Sequence, residues 1–300
     1  MMRRMRVAFF GLPLGALLLE ADGHTIELAV LSPFEAPGRR RLLGRLGRER
    51  VLEAAGLEQV EERLRETDLV VSWFWSRKLP ERWLARGRLG AIGVHPSLLP
   101  RHRGPNPYFW AIDSGDAETG VSVHRLSAEY DQGDVLHAVA MGVGDRDAWQ
   151  LARALDRPSL RALRDVVAAF ARGEPPRGAP QDESLVTWAP EPEGELLRVD
   201  WSWPTERVLR RIRALSPVPG VALELCGRDV FVTRAAPATS WPGALAPGEA
   251  AALGDPPVDV VIRTGDGAVR VVRAVFADEE ALPTPPSTLA QLVASRTRAV

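Results

Sequence analysis

Short apolar runs alternate with helix-spaced stretches through the first half of the chain. Arg6 to Phe10 reads as a strand, and Phe10-Gly11-Leu12-Pro13 breaks the run as a strand-to-helix turn does. Leu14 to Glu20 has helical spacing, and Thr25 to Leu31, bounded by Gly23 and Ser32-Pro33, predicts a second strand. Arg39 to Arg50, rich in arginine, reads as a solvated helix. Asp68 to Phe74 predicts a third strand that passes into Trp75-Ser76-Arg77-Lys78-Leu79-Pro80. Ala91 to Val94 is apolar and ends in His95-Pro96, as a buried parallel strand does when it delivers a polar side chain to its carboxyl end. After a helix-like stretch, Val121-Ser122-Val123-His124-Arg125-Leu126 alternates as a strand, and Asp145 to Arg172 is helical again. This alternation predicts an α/β fold with a doubly wound, mostly parallel sheet.

The pattern then changes. Gly173 to Gly194 is rich in Pro, Gly and acidic residues, the composition of a linker. A helix is expected from Pro204 to about Leu215, followed by β-like runs at 221–225, 229–234, 258–263 and 268–276, which together suggest a small β-barrel-like (OB-like) domain. The 300 residues exceed what one core usually occupies. The predicted organisation is therefore a catalytic domain over 1–175, a linker over 176–195 and a second domain over 196–300.

Charge narrows the partners. The net charge is −1, and from Asp182 onward 12 arginines stand against 16 acidic residues, about −4 for that part. A polyanion-binding domain normally shows a basic face, so nucleic acid is disfavoured but not excluded, since the arginines near 207–213 could make a local patch. Cys226 is the only cysteine, which excludes an internal disulfide and a cysteine-cluster metal site, and no metal is expected. The basic start and apolar run from Val7 to Ala21 superficially resemble a secretion signal, but Phe10-Gly11-Leu12-Pro13 interrupts it and the run is read as the first strand. No other stretch is long enough to span a bilayer, so the expectation is a cytoplasmic protein with no membrane partner.

Candidate chemistry centres on His95 and, 36 residues later, Asp131. An imidazole near neutral pKa and a carboxylate that orients it form a general acid/base couple. The carboxyl end of a parallel strand is also where open α/β sheets place their sites. Taken alone, a histidine at a strand end is an ordinary hydrogen-bonder and Asp131-Gln132-Gly133-Asp134 an ordinary turn.

The blocks His95-Pro96-Ser97-Leu98-Leu99-Pro100, Arg103-Gly104-Pro105-Asn106-Pro107, Glu118-Thr119-Gly120-Val121-Ser122-Val123-His124 and Asp131-Gln132-Gly133-Asp134 resemble, in order and spacing, the folate-dependent formyltransferases. Val199-Asp200-Trp201-Ser202 and Ile212-Arg213-Ala214-Leu215-Ser216-Pro217 resemble that family's carboxy-terminal domain. The resemblance implies 10-formyltetrahydrofolate as formyl donor and an amine as acceptor, with no metal and no nucleophilic side chain. It implies that His95 hydrogen-bonds the formyl oxygen and that Asp131 keeps His95 protonated and relays the proton. Trp75, Arg77 and Leu79, Ser97 and Leu98, and Gln132 and Gly133 would line the folate pocket. His124 would flank the site, as core packing or as support.

One position departs from the family pattern of Asn-x-His followed by a distant Asp. Gly93 stands where the asparagine is expected, and losing such an oxyanion donor costs on the order of a hundred- to a thousandfold in rate. Asn106 is the candidate replacement donor. The expected activity is N-formylation of a small-molecule amine such as an aminosugar, amino acid or peptide product. The alternatives are methionyl-tRNA formylation, hydrolysis of the formyl donor, and a folate- or ligand-binding protein whose catalysis is impaired.

Overall fold

The computed structural model describes residues 3–33, 35–278 and 284–297, so Met1 and Met2 of the basic opening and the last three residues of the expected second domain lie outside it. The strands are β1 (Arg6–Gly11), β2 (Thr25–Leu31), β3 (Val51–Glu53), β4 (Leu69–Trp73), β5 (Ala91–His95), β6 (Glu118–Arg125), β7 (Val135–Gly142), β8 (Val221–Leu225), β9 (Arg228–Pro237), β10 (Ala250–Leu253), β11 (Asp259–Arg263) and β12 (Ala268–Phe276). The helices are α1 (Pro13–Ala21), α2 (Arg39–Leu46), α3 (Val60–Arg63), α4 (Glu81–Leu84), α5 (Pro107–Asp113), α6 (Ala148–Arg172), α7 (Thr205–Ala214) and α8 (Pro286–Thr297).

One sheet has seven strands in the order β3-β2-β1-β4-β5-β6-β7. The pairs from β3 to β5 are parallel, and β6 and β7 close the far side antiparallel. Successive residues of β1 explain why the parallel strands read as unbroken apolar runs. Val7 and Phe9 enter one buried cluster with α1 and α6, while Ala8 and Phe10 enter a second with α3 and α4. Both faces are covered, so the side chains of such a strand are mostly apolar on either face. Trp73 locks β4 to α6 by donating Nε1–H to Ser159 Oγ at 2.9 Å.

Expected elements are present, with shifts at their ends. The helix read over 39–50 ends at Leu46, because Gly47 adopts φ 77° and its N–H returns to the Leu43 carbonyl at 2.9 Å. The long helix starts at Ala148, not at Asp145, because Asp147 Oδ1 caps the Gln150 N–H at 2.7 Å. The strand read over 68–74 stops at Trp73, and Phe74 turns with φ 56°. The sequence reading missed the edge strands β3, β7 and β10 and the helices α3, α4 and α8. β3 has three residues and β7 exposes alternate positions, so neither carries a strong apolar period.

The second sheet is antiparallel, with the order β10-β11-β12-β9-β8, and its bulged β12–β9 pairing gives the barrel-like curl. The chain forms two compact units, and a single cut in the sequence does not separate them. Residues 108–117 and 143–152 join 191–300 in one unit, and the rest, including 153–190, forms the other. Most of the stretch expected as linker thus belongs to the first unit: Val135 bridges to Ala179 and Arg103 to Trp188. In the second unit three of the four arginines of α7 are paired with acids, and Arg207 lies over the ring of Trp203. Arg211 is buried against Asp113 through bonds of 2.6 and 2.9 Å, Arg210 pairs with Glu206, and Arg213 lies 3.3 Å from Asp145.

Candidate functional site

The carboxyl edge of β5 presents His95, which is 6 % exposed. Its Nε2 lies 2.7 Å from the carbonyl oxygen of His102. A carbonyl only accepts, so Nε2 carries the hydrogen and the ring is anchored by that edge. The other nitrogen, Nδ1, faces Asp131 Oδ2 at 3.5 Å. The structure therefore brings the two residues singled out from the sequence into one cluster.

The loop after β5 is shaped to do this. Ser97 Oγ bonds the Arg101 carbonyl at 2.6 Å, and Ser122 on β6 ties the Ser97 carbonyl and the Leu99 N–H. His102, which offers its carbonyl to His95, and Asp131, which faces it, both sit in the left-handed region, with φ 60° and 54°. Such residues are uncommon outside glycine, and strain of this kind collects at functional sites. Gly104, at φ 119°, turns its N–H to Asp131 Oδ2 at 3.0 Å. A side chain there would meet the Ala189 carbonyl.

A network centred on the buried Arg103 holds the loop of Asp131. The guanidinium of Arg103, fully buried, donates to Gln181 Oε1 and to both oxygens of Glu183. Gln181 then donates Nε2–H to the carbonyls of Asp131 and Gly133 at 2.7 and 2.8 Å. His102 N–H bonds Thr187 Oγ1, and Asn106 N–H bonds the Ala189 carbonyl. The sequence reading missed Arg103, Gln181 and Thr187 in this role, since 181–189 carries only the composition of a linker.

The remaining candidates are distributed around this centre. Asn106 is half-buried on the strap whose backbone pairs with 187–189. Leu79 is buried with Trp83, Trp75 is half-buried with its ring edge-on to Phe10, and Arg77 is exposed. Leu98 is half-buried, Gln132 exposed, and Gly133 lies against the Arg125 carbonyl, where a side chain would not fit. Lys78 bridges two of these loops, 3.5 Å from Glu129 and over the ring of Tyr130. The loop after β4 fits a polar, flat ligand in one respect: the indole Nε1 of Trp75 is buried without a hydrogen-bond partner.

His124 stands opposite Gly93 in the ladder and completes the cluster, with Nε2 3.6 Å from Asp131 Oδ1. Burial pushes its pKa down to about 4, against the pull of Asp131, so the ring is neutral at pH 7. A separate open groove of about 600 Å³, lined by residues including Leu18, His24, Arg157 and Arg164, lies beside α1 and α6 and contains none of this chemistry. The cluster, not the groove, is the candidate site, because catalysis needs convergent titratable groups more than volume.

Known proteins resemble this chain in sequence and fold. Residues 45–166 match the family model described as "Formyl transferase", and residues 193–285 match "Formyl transferase, C-terminal domain". The methionyl-tRNA formyltransferase of Acidiphilium cryptum (strain JF-5) is 34% identical over 251 residues, covering 78% of this chain and 82% of that protein. Among solved structures, HypX from Aquifex aeolicus in complex with tetrahydrofolic acid superposes with a TM-score of 0.68 at 26% identity over 95% of this chain. The match spans 47% of HypX, so the chain corresponds to about half of that protein. WlaRD, a sugar 3N-formyl transferase, has the same fold, with a TM-score of 0.68 at 11% identity, covering 93% of this chain and 99% of that one.

Proposed function

This chain belongs to the folate-dependent formyltransferase family, a family of one-carbon transfer enzymes, and we propose that it moves the formyl group of 10-formyltetrahydrofolate to an amine of a small molecule. The observation that carries the reading is the His95–Asp131 cluster at the carboxyl edge of β5, inside the region that matches the family.

The donor supplies a formyl carbon already bound to a nitrogen that can leave. The amine nitrogen bonds to that carbon, the carbon–N10 bond breaks, and one proton passes from the amine to N10. His95 spends Nε2–H on the His102 carbonyl, so its Nδ1 edge is the one available to the formyl oxygen. Protonated there, it offsets the charge that grows on that oxygen. Asp131, held by the Gly104 N–H and facing Nδ1, orients the ring and accepts the proton of the attacking amine. The buried, unpartnered Nε1 of Trp75 supports a folate pocket beside this cluster, with Arg77, Leu79, Ser97, Leu98, Gln132 and Gly133 as its proposed surroundings and Asn106 as a further proposed polar group.

The pairing of three of the four arginines of α7 and the acidic balance from Asp182 onward support a small acceptor. Methionyl-tRNA formylation is the second reading, favoured by the name and 34% identity of the Acidiphilium relative. The test is to supply 10-formyltetrahydrofolate with aminosugars, amino acids, peptides or methionyl-tRNA and to follow tetrahydrofolate release and formylated product together. Release that requires a small amine and matches product one to one is expected. Release with methionyl-tRNA alone would give the second reading, release without any amine would mean hydrolysis, and no release under any condition would overturn the proposal.

A further inference from the structure

A glycine inside a buried strand gives up packing and backbone entropy, so its presence calls for a neighbour that needs the space. For Gly93 that neighbour is across the ladder. Gly93 pairs directly with His124 of β6, and directly opposed residues of an antiparallel pair project to the same face. A Cβ on Gly93 would lie 2.6 Å from Leu126 Cδ2 and 3.3 Å from His124 Nε2. The imidazole of His124 and the end of Leu126 thus occupy the volume in which a side chain at 93 would stand.

The ring is oriented as well as buried. Its Nδ1 lies 2.9 Å from the Arg125 carbonyl, an acceptor only, so Nδ1 carries the hydrogen and the neutral ring leaves Nε2 as a lone pair. That lone pair faces Asp131 Oδ1 at 3.6 Å, while His95 Nδ1 faces Oδ2 at 3.5 Å. The carboxyl group is bracketed by two imidazoles, each anchored through its other nitrogen to a backbone carbonyl. The titratable and charged groups acting on His124 are Asp131, His95 and Arg103.

We propose that His124 is a positioning residue of the formyl-transfer site: seated in the space that Gly93 leaves open, it offers Nε2 as the acceptor for the proton that Asp131 takes up during transfer. A carboxylate facing only donors on both oxygens is a weak base, because every hydrogen bond favours its charged form. An acceptor on Oδ1 favours the protonated form, so the carboxyl can receive the amine's proton on that oxygen while Oδ2 still faces His95. No bond to carbon is made or broken by His124, and the proton goes on from Asp131 to N10. Gly93 and His124 act as one unit, with the side chain that the first lacks replaced by the ring of the second.

This inference rests on the proposed formyl transfer, and its test is a double-mutant cycle with one readout independent of turnover. His124→Ala should lower kcat about 10- to 100-fold while leaving the donor KM within about twofold, the mark of an interaction made in the transition state. His124→Gln, which restores a polar group of similar reach, should recover part of that loss. Gly93→Asn should be harmful alone, because the ends of His124 and Leu126 stand where its side chain would, and at least about threefold less harmful when combined with His124→Ala, which removes one of the two. Effects that simply multiply, or full kcat in His124→Ala, would overturn the proposal. The independent readout is nitrogen-15 NMR of the histidines in the wild type at pH 7. His124 should be the Nδ1–H tautomer with a bare Nε2, and an Nε2–H tautomer overturns the proposal whether or not an acceptor amine is known. Where an alanine variant does not fold, the glutamine variant and this spectrum still decide. If the wild type transfers formyl to no amine but shows the expected tautomer, the proposed activity has failed and the pairing of His124 with Gly93 has not.

Discussion

His95 and His124 show how the same side chain acquires different chemistry from its neighbours. Each is fixed by one nitrogen on a backbone carbonyl and faces one oxygen of Asp131 with the other. His95→Ala should therefore reduce formyl transfer by on the order of a hundredfold or more, with binding of a stable folate analogue retained, since the ring acts on the reacting oxygen and not on the pterin. Calorimetric titration beside kinetics checks both halves of that expectation. His124 also carries a stability signature. Its folded pKa of about 4 lies below its ordinary 6.5, so between those values the unfolded chain binds the extra proton. Stability is full above pH 6.5 and falls as pH drops toward 4, by at most about 1.4 kcal/mol per pH unit from this group. His24, also lowered by burial, adds in the same direction. Urea unfolding from pH 7.5 to 4.5 should show a shallower pH slope in His124→Leu than in the wild type, and equal slopes would refute a neutral buried ring.

The strap from His102 to Asn106 is the element on which the site depends most. Its backbone pairs with 187–189, its arginine reaches Gln181 and Glu183, and its glycine points an N–H at Asp131. Gly104→Ala would force a side chain into the left-handed region and against the Ala189 carbonyl, shifting that N–H off the carboxylate. We expect a loss of about 10- to 100-fold in kcat with little change in far-UV circular dichroism. A variant with wild-type kcat would show that the N–H does not orient Asp131. In the second unit, Arg211 reaches Asp113 and the carbonyls of Leu196 and Arg198, joining α7 to the end of α5. Asp113→Ala, which strands a buried guanidinium, should cost that unit about 3–5 kcal/mol in denaturant unfolding.

Across the chain, charge is the property that bears on acceptor size. Polyanion acceptors are drawn by many unpaired cations and lose affinity steeply with salt, whereas a small amine is not. Three of the four arginines of α7 are paired with Glu206, Asp113 and Asp145, and the fourth, Arg207, lies over the ring of Trp203. The kcat/KM for the proposed small acceptor should therefore change less than about threefold between 50 and 200 mM salt, where several phosphate contacts would give a loss of about a hundredfold or more. Among the described residues no helix is long and apolar enough to cross a membrane.

The order of strands and helices in the first sheet was legible because buried parallel strands are unbroken apolar runs, and that signal is local. The β runs read at 221–225, 229–234, 258–263 and 268–276 were legible as short β-like segments broken by Gly and Pro. His95 and Asp131 were legible as a pair because their surrounding motifs stand in order along the chain, and the fold brings them together. The short edge strands were not legible, because three residues or a half-exposed alternation carry too little pattern. What only the tertiary structure decided is which distant residues meet. Gln181 reaches the Asp131 loop from a stretch with the composition of a linker, and His124 fills the space over Gly93 only because β6 lies antiparallel to β5 in that one register. Periodicity describes each segment against its own neighbours, but a hydrogen bond across 50 residues depends on where the backbone has carried both partners, and no local pattern records that.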